Sequence, residues 1–238
     1  MKEKVLFSWS GGKDSALALY ELQQKKDYEI AALLTTITEE YDRISMHGIR
    51  INLLEMQAES LGLSLEKILI KKNTTNEQYE HKMRQVLTKY LTAGVTSVVF
   101  GDIFLDDLRE YRENKLKKMG ITGIFPLWKM NTEVLAKIFI KLGFKAVITC
   151  IDTQHLNKVF AGMTFDNKLL LKLPPDVDPC GENGEFHSFV YDGPMFKYRI
   201  QHTTGKIILR ENRFYYCDLL PAQGRCFTAC TELNNRTN

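Results

Sequence analysis

No stretch of this 238-residue sequence comes near the run of roughly 18 apolar residues that a membrane span needs. The apolar segment Val5–Phe7 is cut by Ser8, Trp9 and Ser10, too soon for a secretory signal. Cysteine is scarce and unpatterned: Cys150, Cys180, Cys217, Cys226 and Cys230 are odd in number and contain no CxxC pair. That argues against a disulfide framework and a zinc knuckle, and predicts reduced thiols in a cytoplasmic protein. Charge of one sign is also lacking. With 32 basic and 29 acidic residues the net charge is +3, too mild to argue for nucleic acid. Neither GxxxxGK(S/T) nor GxGxxG occurs, which excludes the Walker loop and the dinucleotide fingerprint. Repeats and low-complexity tracts are absent.

What is present is an ordinary globular composition, 44% hydrophobic and 26% charged, enough for a full core without a metal staple. Through the first half, short apolar runs alternate with amphipathic segments. Strands are expected at Lys4–Trp9, Ile30–Ile37, Leu63–Ile70, Val95–Phe100 and Ile121–Phe125. Helices are expected at Asp14–Gln24, Ile49–Leu61, Thr75–Thr92 and Leu108–Met119. Such βαβ alternation predicts an α/β fold, a five-stranded parallel sheet with right-handed crossovers and helices on both faces. Ligands then belong beyond the C-terminal strand ends, where the loops Ser10–Ser15, Thr35–Gly48 and Gly101–Asp107 converge. After a boundary near residue 128 the pattern changes. A helix capped by Asn131 or Thr132 precedes strands at Phe144–Cys150, Glu185–Tyr191, Lys206–Arg210 and Arg213–Cys217. The organisation expected is 1–128, a smaller α+β domain over 129–221, and a frayed polar tail over 222–238.

Ser10-Gly11-Gly12-Lys13-Asp14-Ser15 lies between an expected strand and an expected helix. Two adjacent glycines let successive N–H groups point inward as an anion nest, and the helix start adds its positive end. Ser10 and Ser15 add hydroxyls and Lys13 a charge. Five specified positions match by chance at one site with odds of ~10⁻⁶. The hexapeptide resembles the PP-loop, SGGxDS, of the N-type ATP pyrophosphatases, whose sheet is Rossmann-like and HUP-type. That resemblance implies ATP, with the loop gripping its β- and γ-phosphates, and Mg²⁺ as companion.

Three further segments resemble the diphthine–ammonia ligase family within that superfamily. Phe100-Gly101-Asp102-Ile103 matches its turn after the fourth strand, and Pro126-Leu127-Trp128 matches its PLW. Cys180-Gly181-Glu182-Asn183-Gly184-Glu185-Phe186-His187-Ser188, followed by Asp192-Gly193-Pro194, resembles its CGEGGE signature. The likeness implies that a carboxylate, that of diphthine on elongation factor 2 or of another acceptor, is adenylated with release of pyrophosphate. Ammonium then forms the amide. Asn183 stands where the signature has glycine, His187 where it has an acid and Ser188 where it has threonine, the wording of a variant branch.

Candidate residues follow. Ser8, Ser10, Gly11, Gly12, Lys13, Asp14, Ser15 and Gly101 surround the phosphates. Thr35 and Thr36, which end the second strand, and His47 lie where the adenine rests in the superfamily. Asp14 and Asp102 can hold Mg²⁺, or cap helices. Lys13, Glu182, Glu185 and His187 form the catalytic set, with Glu185 and His187 on one face of a strand and able to handle the ammonium proton. A tRNA-acting PP-loop enzyme and a non-catalytic adenine-nucleotide sensor are the alternative readings. No membrane partner is expected, and self-association is compatible with everything above.

Overall fold

The computed structural model describes residues 2–44 and 47–222. The tail beyond Ala222, with Cys226 and Cys230, lies outside the described residues, as does most of the segment expected to fray.

The first strand, β1 (Glu3–Ser8), leads through a four-residue turn-like loop that includes Gly11 and Gly12 into α1 (Lys13–Gln24). β2 (Tyr28–Thr38) follows, then a short return strand β3 (Arg43–Ile44), α2 (Ile51–Leu61), β4 (Leu65–Ile70) and α3 (Asn76–Thr92). β5 (Val95–Val99), α4 (Asp106–Lys117) and β6 (Thr122–Ile124) complete the first half. The parallel strands lie in the order β4-β2-β1-β5-β6. The chain therefore winds outward from β1 in both directions, and the switch in strand order falls between β1 and β5.

Alternation along β1 shows how two faces are covered. Val5 and Phe7 join one buried cluster with Leu17, Leu19 and Leu22 of α1 and Leu53 and Leu54 of α2. Leu6 joins a second with Leu87 of α3 and Leu116 of α4. Side chains of a strand point alternately to opposite faces, so one strand supports both layers. Local chemistry sets the helix ends. Thr75 and Gln78 form a reciprocal capping box at α3, and Gly62 closes α2 with a φ of 71°.

Two differences from expectation arise in β2. It runs on to Thr38, because the β-branched run Thr35-Thr36-Ile37-Thr38 keeps pairing with Lys67–Ile70 of β4. Thr35 and Thr36 are thus inside the strand rather than at its end. The antiparallel return strand β3 pairs at Ile37 and Thr38 on the edge that β1 leaves free, giving the sheet a sixth, antiparallel member.

In the second half, α5 (Thr132–Lys141) is capped by the Asn131 side chain, which accepts from Val134 N at 3.0 Å. β7 (Lys145–Asp152), a one-turn helix α6 (Asn167–Leu170), β8 (Phe186–Asp192), β9 (His202–Arg210) and β10 (Phe214–Pro221) follow. These strands form an antiparallel sheet in the order β8-β7-β10-β9. Its apolar face continues the cluster under α1, where Tyr20 meets Phe144 edge-on at 5.9 Å. Asp218 on β10 sits between Arg43 (2.8 Å) and Arg50 (2.7 Å) and fastens the second sheet to the rim of the first. No helix among the described residues is long and apolar enough to cross a membrane.

Candidate active site

The loop after β1 turns at Gly11, whose φ of +74° is disfavoured for side-chain-bearing residues and whose Cβ position would lie 2.8 Å from Gln57 and Leu54 atoms. Gly12 N donates to Ser10 Oγ at 3.2 Å, and Ser15 Oγ donates to Gly12 O at 2.9 Å. Ser10 and Ser15 hydroxyls lie 3.1 Å apart. Ser8 ends β1 just before this turn. Gly101, after β5, packs so closely on the start of α1 that a Cβ there would be 2.9 Å from Ser15 N. The two loops at the switch point thus touch backbone to backbone. A Gly101→Val variant is expected to displace the start of α1 and weaken ATP binding at least tenfold, readable by equilibrium titration, while the far sheet stays folded.

From the second half, β8 is laid against the same loop. Val190 N donates to Gly11 O at 2.9 Å, and Lys13 N donates to Ser188 Oγ at 3.1 Å. A third hydroxyl of the site therefore comes from 175 residues away in sequence. Gln57 of α2 was not a sequence candidate, yet it joins all three segments. Its Oε1 accepts from Trp9 Nε1 at 2.9 Å, and its Nε2 donates to Gly11 O at 3.1 Å and Val190 O at 2.5 Å. The signal was available: a glutamine occupies the apolar face shared by Leu53, Leu54, Ala58 and Leu61, and a polar group there needs partners.

Lys13 does not project freely into the crevice. Its side chain is 5% exposed, with Nζ 2.8 Å from Asp14 Oδ2, hydrogen-bonded to the Cys180 carbonyl and above the Phe186 ring. Burial opposes its charge, but Asp14 and the nearby acidic groups outweigh that and hold its pKa above the ordinary lysine value. The ammonium therefore faces inward, toward Asp14 and the Cys180 carbonyl.

Glu182 reaches across to the β5 loop, its Oε1 accepting from Ile103 N at 2.7 Å and Phe104 N at 3.3 Å. Burial pushes its pKa up to about 7, against the two N–H groups that favour the carboxylate. The stability this proton contributes is complete below the ordinary value of 4.5 and is lost as pH rises through about 7. Glu182→Gln keeps an acceptor for both amides and removes the titration. The variant's stability relative to the parent is expected to rise between pH 5 and pH 8, measured by urea midpoints.

Asp102 lies beside Arg112, with Oδ2 2.8 Å from Nε although off the hydrogen-bonding angle, and Oδ1 3.4 Å from Nη2. Burial, more than the Asp14 charge, raises its pKa, and Arg112 counters both. Glu185 is buried and accepts at Oε1 from Asp178 N and Asn183 Nδ2, each at 3.0 Å, so it holds the turn before β8. His187 instead stacks on His47, ring centroids 4.4 Å apart. Glu185 and His187 therefore have different partners, and no hydrogen bond joins them. Thr35 is buried within β2 and Thr36 half-buried. Cys180 is buried, with Sγ donating to Thr132 O at 3.3 Å, and burial raises its thiol beyond the usual range, consistent with an inert role. Among the described residues no group of three or more His, Cys, Asp and Glu forms a ready metal cluster.

A family model described as the diphthamide synthase N-terminal domain matches residues 1–123, and one described as its C-terminal domain matches residues 131–219. A diphthine–ammonia ligase of Schizosaccharomyces pombe is 26% identical over 86% of this chain, which spans 37% of that protein. The mouse protein of the same name is 26% identical over 80% of this chain and 79% of its own length, and the human one 24% identical over 84% and 83%. Among solved structures, a predicted subunit of tRNA methyltransferase from Methanocaldococcus jannaschii superposes with a TM-score of 0.41 at 18% identity, over 60% of this chain and 77% of that one. A U34-tRNA thiolase from Methanococcus maripaludis gives 0.36 at 19%, over 60% and 58%. With both of its halves matched in order, and with the Ser10–Ser15 loop of one half bonded to the glycine-rich segment of the other, the chain belongs to the diphthamide synthase family.

Proposed function

We propose that this chain is an ATP-dependent amide-forming ligase: it adenylates a carboxylate, releases pyrophosphate, and lets ammonium displace AMP. The observation that carries this reading is the joining of two polar, glycine-rich segments at the switch point of the sheet. The Ser10–Ser15 loop is bonded to Ser188, Cys180 and Val190, and Glu182 is bonded to the Gly101–Phe104 turn. A nucleotide sensor needs the first segment and has no use for the second. Residues 1–128 would hold ATP and residues 129–221 the acceptor.

The phosphates would lie at the Gly11–Gly12 turn, with Ser10, Ser15 and Ser188 as hydroxyl partners. Asp14, whose charge acts on Asp102, and Asp102 itself offer hard carboxylate oxygens suited to Mg²⁺, with Asp102 Oδ2 ion-paired to Arg112 but without a hydrogen bond. Two protein carboxylates with phosphate and water completing the shell is the usual pattern for that ion. Bound there, Mg²⁺ would neutralise phosphate charge. Glu182, poised near neutrality, would orient the acceptor or take its proton, and Glu185 would keep the segment in register. The carboxylate-bearing acceptor would be diphthine on elongation factor 2 or a chemically similar group.

The test is an end-product analysis with ATP, Mg²⁺, ammonium chloride and elongation factor 2 carrying diphthine. AMP and pyrophosphate are expected in equal amounts with the new amide. ADP and phosphate as products would overturn the adenylation reading.

A further inference from the structure

His47, from the loop before α2, and His187, from β8, stack across the two halves of the chain with an interplanar angle of 38°. Each has a buried ring nitrogen without a partner, Nδ1 of His47 and Nε2 of His187. Such orphans are uncommon, since buried polar groups are nearly always satisfied. The bare atoms can be identified. The Ser188 carbonyl and the His47 ring both border the same point beside Gly12, 3.1 and 3.2 Å from where its Cβ would lie, and the carbonyl favours a proton on the ring nitrogen that faces it. Because Nδ1 is partnerless, Nε2 is that nitrogen and Nδ1 carries the lone pair. For His187 an orphaned acceptor is less costly than an orphaned N–H, which assigns the lone pair to Nε2. Burial drives both imidazoles below their ordinary pKa, His187 to about 4, and the nearby Lys13 charge adds to this. Both rings are neutral at pH 7.

The pair adjoins the phosphate loop. A Cβ on Gly12 would lie 3.2 Å from His47 Cε1 and 3.1 Å from Ser188 O. Two bare nitrogens there repel an anion, so they do not serve a phosphate. They are also too few for a divalent cation, which takes at least three or four ligands, and no third ligand group stands with them among the described residues. What suits two unpartnered nitrogens on neighbouring rings is a small molecule that offers N–H or O–H donors. Ammonia can donate to both nitrogens and keep its own lone pair free to attack.

We propose that His47 Nδ1 and His187 Nε2 form the ammonia-receiving site, each accepting one N–H and aiming the nitrogen at the activated acyl group. This rests on the ligase reading above. In the step it serves, a C–N bond forms and the C–O bond to the AMP phosphate breaks. AMP leaves with that electron pair, and one N–H proton passes to water. His47 and His187 bind the nucleophile and are not asked to take its proton.

Two measurements test it, one of them independent of the acceptor. Ring ¹⁵N spectra of the whole protein at pH 8 are expected to show His47 and His187 moving when ammonium chloride is added and not with sodium chloride, while His81, His155 and His202 stay still. No movement would mean that water alone serves these nitrogens, and would overturn the site. His187→Phe is expected to raise the KM for ammonium at least tenfold with the KM for ATP and acceptor-dependent ATP–pyrophosphate exchange unchanged. His187→Gln, which restores an acceptor oxygen, should recover part of it. Loss of exchange in His187→Phe, or an unchanged ammonium KM, would overturn the assignment. If the parent protein itself shows no exchange with any acceptor while its rings respond to ammonium, the ligase reading fails and the ammonia site stands.

Discussion

Lys13→Ala is expected to cost roughly 1–3 kcal/mol of stability, less than the full penalty for a buried pair because Asp14 is 30% exposed, and to abolish ATP binding with it. The reason is positional. Lys13 follows the two glycines of the phosphate loop, yet its ammonium lies between the Asp14 carboxylate and the Cys180 carbonyl. Without it, Asp14 loses the cation it pairs with at the start of α1, and the Cys180–Ser188 segment loses one of its ties to the loop. A lysine that merely gripped phosphate would behave otherwise, lowering affinity while leaving the urea midpoint unchanged. The two outcomes are separated by denaturation without nucleotide, followed by titration with ATP. A stable Lys13→Ala protein with weakened ATP affinity would show that the inward placement has no energetic weight.

Gln57→Leu is the second large effect. The substitution keeps approximate volume and adds hydrophobicity, so a purely packing view expects little change. Instead, it strands the Trp9 indole N–H and takes one donor from each of the Gly11 and Val190 carbonyls, although Gly11 O keeps the Val190 N–H. Leaving one buried group unsatisfied costs roughly 1–3 kcal/mol, so a loss of about 1–3 kcal/mol is expected. The Val190–Gly11 backbone bond should weaken too, because both carbonyls are oriented by the same amide. Gln57→Glu makes the control. It preserves size and can still accept from Trp9, but an ionised carboxylate has no hydrogen for the two carbonyls. It should be at least as destabilised as Gln57→Leu at pH 8. Near-native stability of either variant would mean that the clamp contributes little.

Much of the first half was legible in the residues because its determinants are local. Apolar periodicity marks α1, α2 and β1, Thr75 and Gln78 mark the start of α3, and Gly62 marks the end of α2. The Ser10–Ser15 loop was visible for the same reason: six consecutive residues carry its turn, its hydroxyls and its charge. The short return strand β3 escaped notice because two residues carry no period; it exists only because β2 offers an open edge at Ile37 and Thr38. Likewise, strand alternation put Glu185 and His187 on one face, but Glu185 precedes β8 and is drawn into the turn by Asp178 and Asn183. Hydrogen bonds to a neighbouring turn outrank the strand period there.

The sequence by itself determined the family, the α/β class and the place of the glycine-rich Ser10–Ser15 loop between β1 and α1, since each depends on residues close together along the chain. Only the tertiary structure decided what those residues face. Ser188 supplies a hydroxyl to an amide 175 positions away, Gln57 clamps a loop 46 positions away, and Lys13 turns inward instead of outward. The physical reason is that a buried polar group must find a partner, and the fold, not the spacing in sequence, determines which partners come within reach.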